Sequence, residues 1–194
     1  MPKRILIIDG HPDPDASRFV HALAEAYSSG AREARHELRC VRLSELNFDL
    51  LRSNQDYRSG RAPPEIEPVQ SDILWSNHIV VMFPLWLGDM PALLKGLLEQ
   101  TLRPNFAFSY PEGKGLPKKR LQGRSVRIVV TMGMPGFFYR LYFRAHSLKS
   151  LERNIFKFVG FAPVRKSFVG SVEGAAKTRE AWLARMRRYG RAGN

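Results

Sequence analysis

Three short segments of the chain hold residue types whose combination suits binding chemistry. The first, Gly10-His11-Pro12-Asp13-Pro14-Asp15-Ala16-Ser17, separates a short apolar run from the first stretch with helical spacing. A loop in that position presents free backbone N–H groups and the positive end of a helix dipole, which favour an anion such as a phosphate. Ser17 adds a hydroxyl, and His11 is a donor in either protonation state. Capping of the helix by Ser17 or Asp15 is the ordinary alternative, and Asp13 and Asp15 oppose an anion unless they cap or point to solvent.

The second segment, Phe83-Pro84-Leu85-Trp86-Leu87-Gly88-Asp89-Met90-Pro91, is apolar where loops are usually polar, so something is expected to cover it. An indole beside exposed amides suits the face and polar edge of a flat heteroaromatic ring. Packing of Trp86 into the core or a subunit interface competes with that reading. The third, Thr131-Met132-Gly133-Met134-Pro135-Gly136 followed by Phe137-Phe138-Tyr139-Arg140-Leu141-Tyr142-Phe143-Arg144-Ala145-His146, combines glycines that allow close backbone approach with Tyr139 and His146. Either side chain is suited to hydrogen-bond a developing oxyanion or to give up a proton, and either serves equally well as a structural residue.

Several chemistries find no support. There is no G-x-G-x-x-G after the first strand and no G-x-x-x-x-G-K-[ST]; Gly113-Lys114-Gly115 lacks the context and spacing. No G-x-S-x-G elbow exists, Cys40 falls within an expected strand, and the five histidines show no ligand spacing, so no metal is expected.

The elements that must position these segments follow from periodicity. Lys3–Asp9 reads as a strand, and Phe19, Leu23, Ala26 and Tyr27 as one helix face; His36–Leu43 reads as a strand nearer an edge. Asn47–Pro68, with Gly60 and Pro63-Pro64, reads as a surface excursion with little regular structure. Val69–Asn77 suits a short helix, His78–Phe83 a fully buried strand, and Pro91 the first position of a helix carrying Leu93, Leu94, Leu97, Leu98 and Leu102. Asn105–Gly123 reads as a polar loop and Ser125–Thr131 as a strand. Leu148, Leu151, Ile155 and Phe158 mark a helix closed by Gly160, Val164–Val169 a last strand, and Trp182, Met186 and Tyr189 a last helix. Alternation of this kind predicts one α/β domain over residues 1–194, a doubly wound five-stranded parallel sheet of order 2-1-3-4-5 with helices on both faces. In that order the ligand crevice lies where the three segments emerge.

Composition agrees with a globular domain: hydrophobic residues are 44% and charged residues 25% of 194. The longest nearly unbroken apolar stretch, Ile79–Leu87, is too short to cross a bilayer, and a single cysteine leaves no sign of an oxidising compartment; cytoplasm is the expected location. Charge is uneven. Residues 1–113 carry 12 Lys/Arg against 15 Asp/Glu, whereas 114–194 carry 19 against 3. Such a basic half suits nucleic acid, anionic lipid or a polyanionic ligand such as a nicotinamide dinucleotide phosphate, or is simply a solvated face.

The order His11-Pro12, Ser17-x-Phe19, Phe83-Pro84-Leu85-Trp86, Pro91-Ala92-Leu93-Leu94-Lys95-Gly96, Phe106-Ala107-Phe108-Ser109-Tyr110 and Phe158-Val159-Gly160-Phe161 resembles the flavodoxin-2 family of NAD(P)H:quinone oxidoreductases over about residues 4–170. The resemblance implies a flavin, FMN or FAD, reduced by NAD(P)H and reoxidised by a quinone-like acceptor in a two-electron ping-pong hydride transfer. It implies that His11, Ser17 and Phe19 hold the flavin phosphate region. Pro84, Leu85, Trp86 and Leu87 would line the isoalloxazine, and Thr131, Met132, Gly133 and Met134 its other edge. Tyr139 and His146 match the family's tyrosine and histidine near the substrate, the histidine one residue further along than in mammalian quinone reductases. The chain departs from the family's Ser-Phe-Asn at Ser17-Arg18-Phe19 and from its Gly-Gly at Gly133-Met134. A homodimer around the site is implied as well, with Trp86, Phe106, Phe108 or the Phe137–Phe143 segment facing the partner. Two other functions suit the same residues: a flavin-bearing regulatory or electron-transfer protein docking on a membrane partner, and binding of nucleic acid or an anionic membrane through the aromatic-basic run Phe137–Arg144. No recognised motif supports the nucleic-acid reading.

Overall fold

A computed structural model describes residues 1–58, 61–111 and 115–194; Gly60 and the Gly113-Lys114 pair lie outside them. In chain order the main elements are β1 (Arg4–Asp9), α1 (Phe19–Glu33), β2 (Glu37–Arg42), α2 (Asn54–Arg58), α3 (Glu67–Trp75), β3 (His78–Pro84) and α4 (Ala92–Thr101). There follow β4 (Phe108–Ser109), β5 (Lys118–Lys119), β6 (Ser125–Thr131), α5 (Gly136–Leu141), α6 (His146–Ser150), a wider π-type stretch (Leu151–Phe156), α7 (Lys157–Val159), β7 (Val164–Val169) and α8 (Ala176–Ala192). The main sheet is parallel throughout, in the order β2-β1-β3-β6-β7. That is the expected 2-1-3-4-5 arrangement, with the short β4–β5 ribbon inserted between its third and fourth strands.

The two faces of the sheet explain the strand sequences. Side chains alternate across a strand, so Leu6, Ile8, Ile79, Val81, Ile128 and Val130 share one face and Ile5, Ile7, Val80, Met82 and Val129 the other. Leucines of α4, Val69 and Ile73 of α3 and the apolar side chains of the 146–159 segment cover the first. The second is covered by α1, through Val20, Leu23 and Tyr27, and by Met186 of α8. Covered on both sides, β3 is buried at every position, whereas the edge strand β2 buries only Val41.

Helices α1 and α8 approach so closely that only hydrogen fits between them at two points. A Cβ on Gly30 would stand 1.9 Å from the Arg187 carbonyl oxygen, and one on Gly190 would stand 2.0 Å from that of Tyr27. Glu33 then binds both Arg187 and Arg191 at the exposed rim of the same contact.

Three local expectations differ from the structure. Pro91 is the cap residue before α4 rather than its first helical residue, because its ψ of 140° is extended. The 47–68 excursion contains α2. The Asn105–Gly123 loop contains the β4–β5 ribbon, pulled in by apolar side chains: Phe108 is buried against Phe158 with ring centroids 4.8 Å apart, and Leu121 is fully buried while its amide bonds to the Val159 carbonyl. Local polarity cannot report such long-range burial.

Because a methyl at position 190 strikes helix backbone rather than a flexible side chain, Gly190→Ala is expected to lower unfolding free energy by more than about 2 kcal/mol. Urea unfolding followed by far-ultraviolet circular dichroism measures this; an unchanged midpoint would refute the close helix contact.

Candidate active site

The three segments lie side by side because the sheet's hydrogen-bond ladder runs on past the strand ends. The Gly10 amide donates to the Met82 carbonyl at 2.7 Å, Leu85 to Thr131 at 2.8 Å, Met132 to Val169 at 2.9 Å and Ser171 to Met134 at 3.1 Å. Loops leaving β1, β3 and β6 at their carboxyl ends therefore stay together, and the His11 ring meets Trp86 edge-on with centroids 5.7 Å apart. Asp89 of the second loop lies within electrostatic reach of Tyr139 in the third.

In the first loop much of the donor capacity is already used by the chain's own side chains. The amide of Asp15 donates to Asp13 Oδ1 and that of Ser17 to Asp15 Oδ1, each at 2.9 Å, and the Ser17 hydroxyl also bonds to the Asp15 carboxylate. Arg18 pairs with both, at 2.7 Å from Asp13 Oδ2 and 3.3 Å from Asp15 Oδ2. What remains for a ligand is the first turn of α1, where the amides of Phe19 and Val20 have no acceptor among the described residues and Arg18, at the cap position, makes no side-chain cap. His11 is buried; its Nδ1 accepts from the Asp13 amide at 3.1 Å, so the ring proton sits on Nε2, a donor with no protein acceptor among the described residues. Burial and the neighbouring His21 push its pKa down, keeping the ring neutral. Ser17 is exposed and Phe19 half-buried on α1.

The second loop turns back on itself through two reciprocal hydrogen bonds between Trp86 and Asp89, at 2.8 and 3.0 Å. Leu87 and Gly88 form the tip with φ of 49° and 83°. Such a turn is built for Asn-Gly or Gly-Gly, and a leucine there is strained by roughly 1–2 kcal/mol. This leucine is also fully exposed, at 108%, with Trp86 at 47% beside it, while Pro84 is buried and Leu85 half-buried beneath. An apolar side chain both strained and solvent-facing makes this tip a candidate contact for whatever covers it.

From the third segment, Thr131 and Met132 are buried, Met134 half-buried and Gly133 exposed. Tyr139 on α5 is buried with its hydroxyl 2.5 Å from Ser147 Oγ. Burial and then, among the charges, Asp89 raise its pKa, so it stays a neutral phenol. Arg144 and Ala145 adopt left-handed conformations with φ of 53° and 48°, making the corner that sets His146 at the exposed start of α6 and Ser147 under Tyr139. His146 makes no hydrogen bond to Tyr139; the neighbouring Ser147 does. Phe137, Phe138, Leu141, Tyr142 and Phe143 stay solvent-facing. Phe108, by contrast, is covered by its own chain, so the expectation that it faces a partner does not hold.

Sequence reasoning missed the residues beneath the first loop. Asp9 ends β1 fully buried and bonds to His21 on α1; Ser147 is the further omission. The available signal was an acid at a strand end followed twelve residues later by a histidine in the first helical turn. A cavity of about 690 Å³, bordered by Tyr57, Lys95, Leu98, Phe108, Asn154 and Phe158, shares no residue with the three loops. A second, about 610 Å³, adjoins the third segment at Gly136, Phe137 and Arg140 and is bordered by Lys166, Trp182 and Arg185. The three-loop site is instead an open shelf, as expected where a flat ligand or a second molecule closes it.

A family model described by its flavodoxin-like fold matches residues 3–191. The chain belongs to the flavodoxin-2 family. A relative from Haemophilus influenzae, named as an uncharacterized NAD(P)H oxidoreductase, is 26% identical over 171 residues, covering 86% of this chain and 83% of that protein. NAD(P)H dehydrogenase (quinone) 1 of Rattus norvegicus is 24% identical, covering 95% and 76%. Among solved structures, an NAD(P)H:quinone oxidoreductase from Methanothermobacter marburgensis superposes with a TM-score of 0.86 at 23% identity over 100% of both chains. An FMN-dependent NADH-azoreductase from Bacillus anthracis, in complex with FMN, superposes at 0.75 with 18% identity, again over 100% of both. For a flavodoxin-2 protein the carboxyl ends of β1, β3 and β6 are where a ligand belongs in this sheet order.

Relief of the left-handed strain makes Leu87→Gly expected to keep or slightly raise the melting temperature while weakening ligand binding at the shelf. Differential scanning calorimetry with a binding titration checks both; a marked loss of stability would show that Leu87 serves the fold.

Proposed function

We propose that this flavodoxin-2 chain is a single-domain, flavin-dependent NAD(P)H oxidoreductase that reduces quinone-like acceptors by two electrons in a ping-pong cycle. The observation that carries the proposal is the shelf at the carboxyl ends of β1, β3 and β6, where exposed Trp86 and Leu87 and half-buried Met134 stand beside the neutral phenol Tyr139. The names of the rat and Haemophilus relatives and the FMN held by the azoreductase of the same fold support it.

The residues present fit a flavin unevenly. The apolar second loop and the backbone of Thr131–Met134 suit the ring, and the Phe19 and Val20 amides with His11 Nε2–H suit an anionic tail. Asp13 and Asp15 do not suit the tail, and Arg18 offsets them. When bound, the flavin supplies the two-electron hydride chemistry. The chain's own share is to exclude water with Trp86 and Leu87, to hold a proton at Tyr139 Oη next to Ser147, and to offer His146 at the rim as a second donor to the acceptor.

The proposal extends to a homodimer in cytoplasm. Phe137, Phe138, Leu141, Tyr142 and Phe143, with Trp86 and Leu87, leave large apolar side chains facing solvent, and a second copy laid there would close the shelf.

Adding FMN or FAD to the purified chain and then NADPH without oxygen is expected to bleach the flavin band, with colour restored by a simple quinone; failure to take up either flavin would overturn the reading. Tyr139→Phe is expected to lower kcat by roughly tenfold to a hundredfold with little change in flavin affinity, measured by steady-state quinone reduction. The basic groove at Arg140 and Arg185 favours NADPH over NADH, so the NADPH rate at limiting cofactor is expected to fall more steeply with added salt; matched salt slopes would argue against that preference.

A further inference from the structure

His21 sits between two acceptors. Its Nδ1 lies 2.5 Å from Asp9 Oδ2 and its Nε2 lies 3.0 Å from the carbonyl oxygen of Asp13. A neutral imidazole has one N–H and would set a lone pair against one of these oxygens. Two contacts of this kind need two ring protons. With the shared proton on the imidazole, both contacts are N–H donations, to Asp9 Oδ2 and to the Asp13 carbonyl oxygen. The other Asp9 oxygen accepts from the His11 amide at 3.3 Å, further favouring a carboxylate.

The charges around the ring give this proton a task. Asp9 faces it from β1, Asp13, Asp15, His11 and Arg18 from the loop, and Arg42 from the end of β2. Arg42 is engaged by Glu45, and His11 is neutral. Three carboxylates therefore face Arg18 and His21 together when His21 is charged, and Arg18 alone when it is not. A phosphate entering beside Asp13 and Asp15 meets much stronger repulsion in the second case.

We propose that His21 is a positioning residue for the anion-binding loop: as an imidazolium it ties the end of β1 to the Asp13 carbonyl and supplies the charge that lets a phosphate sit beside Asp13 and Asp15. The proposal rests on the reading that this loop takes the anionic tail of a flavin. Burial alone would lower the pKa of His21, but the hydrogen bonds to Asp9 and to the Asp13 carbonyl outweigh it and the net direction is upward. The sign follows from that direction. The clamp is complete below the ordinary histidine value and is lost as pH rises through the raised one.

Two measurements on the full chain test this. In the chain labelled with 15N-histidine and free of flavin, one imidazole is expected to show both nitrogens protonated at neutral pH and to titrate above about 6.5, with the signal assigned by its loss in His21→Gln. A neutral His21 at pH 7 would overturn the proposal whether or not flavin binds. In FMN titrations from pH 7 to 9, wild-type affinity is expected to fall by roughly fivefold to tenfold as His21 loses its charge. His21→Gln is expected to bind weakly at every pH, and adding Asp15→Asn to it to recover affinity by removing a competing carboxylate. A wild-type affinity flat across that range, or His21→Gln binding as tightly as wild type, would sink the clamp. A wild type that takes up no FMN at all would instead count against the cofactor reading, leaving the imidazole titration to decide the role of His21.

Discussion

The site depends on one constraint: a parallel ladder that does not stop where the strands do. In a parallel sheet every strand ends on the same side, and unpaired backbone groups there must find partners or water. Here the Leu85, Met132 and Gly10 amides find carbonyls on the adjoining strands, which ties three loops far apart in sequence into one surface. No side chain has to be specified for this to happen. The loops can then carry residues chosen for binding, because their spacing is set from below.

The freedom this gives is visible as local strain and exposure. Leu87, Arg144 and Ala145 are left-handed, and all three lie in the second and third loops. Large apolar side chains that face solvent crowd the same two loops, whereas the sheet beneath hides nearly every one it has. A core as continuous as that formed by β3, β6 and α4 can tolerate several small penalties at its rim. Ser171, after β7, joins Leu87, Arg144 and Ala145 at the carboxyl ends of the strands, whereas Arg35 and Asn105 are left-handed in turns elsewhere, so such strain is gathered at that end of the sheet without being confined to it.

How much of this could be read from residues alone varies with the range of the interactions. The strands β3 and β6 were legible because burial on both faces leaves an unbroken apolar run, and α1 and α4 because their apolar positions recur at helical spacing. A parallel sheet followed from the alternation of the elements, and the order 2-1-3-4-5 is one of the common windings such a sheet adopts. The β4–β5 ribbon was not legible, since Phe108 and Leu121 are drawn in by Val159 and Phe158 some forty to fifty residues away. The three loops of the candidate site were found from their unusual composition. The Asp9–His21 pair was not, because neither residue is unusual where it stands and the contact exists only once α1 folds back over the end of β1.

That pair also changes the meaning of the first loop. By composition the loop is ambiguous: glycine, serine and a helix start favour an anion, and two aspartates oppose it. The structure shows the aspartates occupying the amides of Asp15 and Ser17 and neutralised in part by Arg18, so they act as scaffolding for the loop's own backbone. Such a loop holds its shape before any ligand arrives, which lowers the ordering cost of binding, but it leaves excess negative charge near the amides of Phe19 and Val20. The proposed half-buried imidazolium of His21 would resolve the conflict at little expense, because its partners are the end of a core strand and a backbone carbonyl, both fixed already. On the role proposed for His21, the loop's shape is set by carboxylates and its affinity for an anion by a single proton.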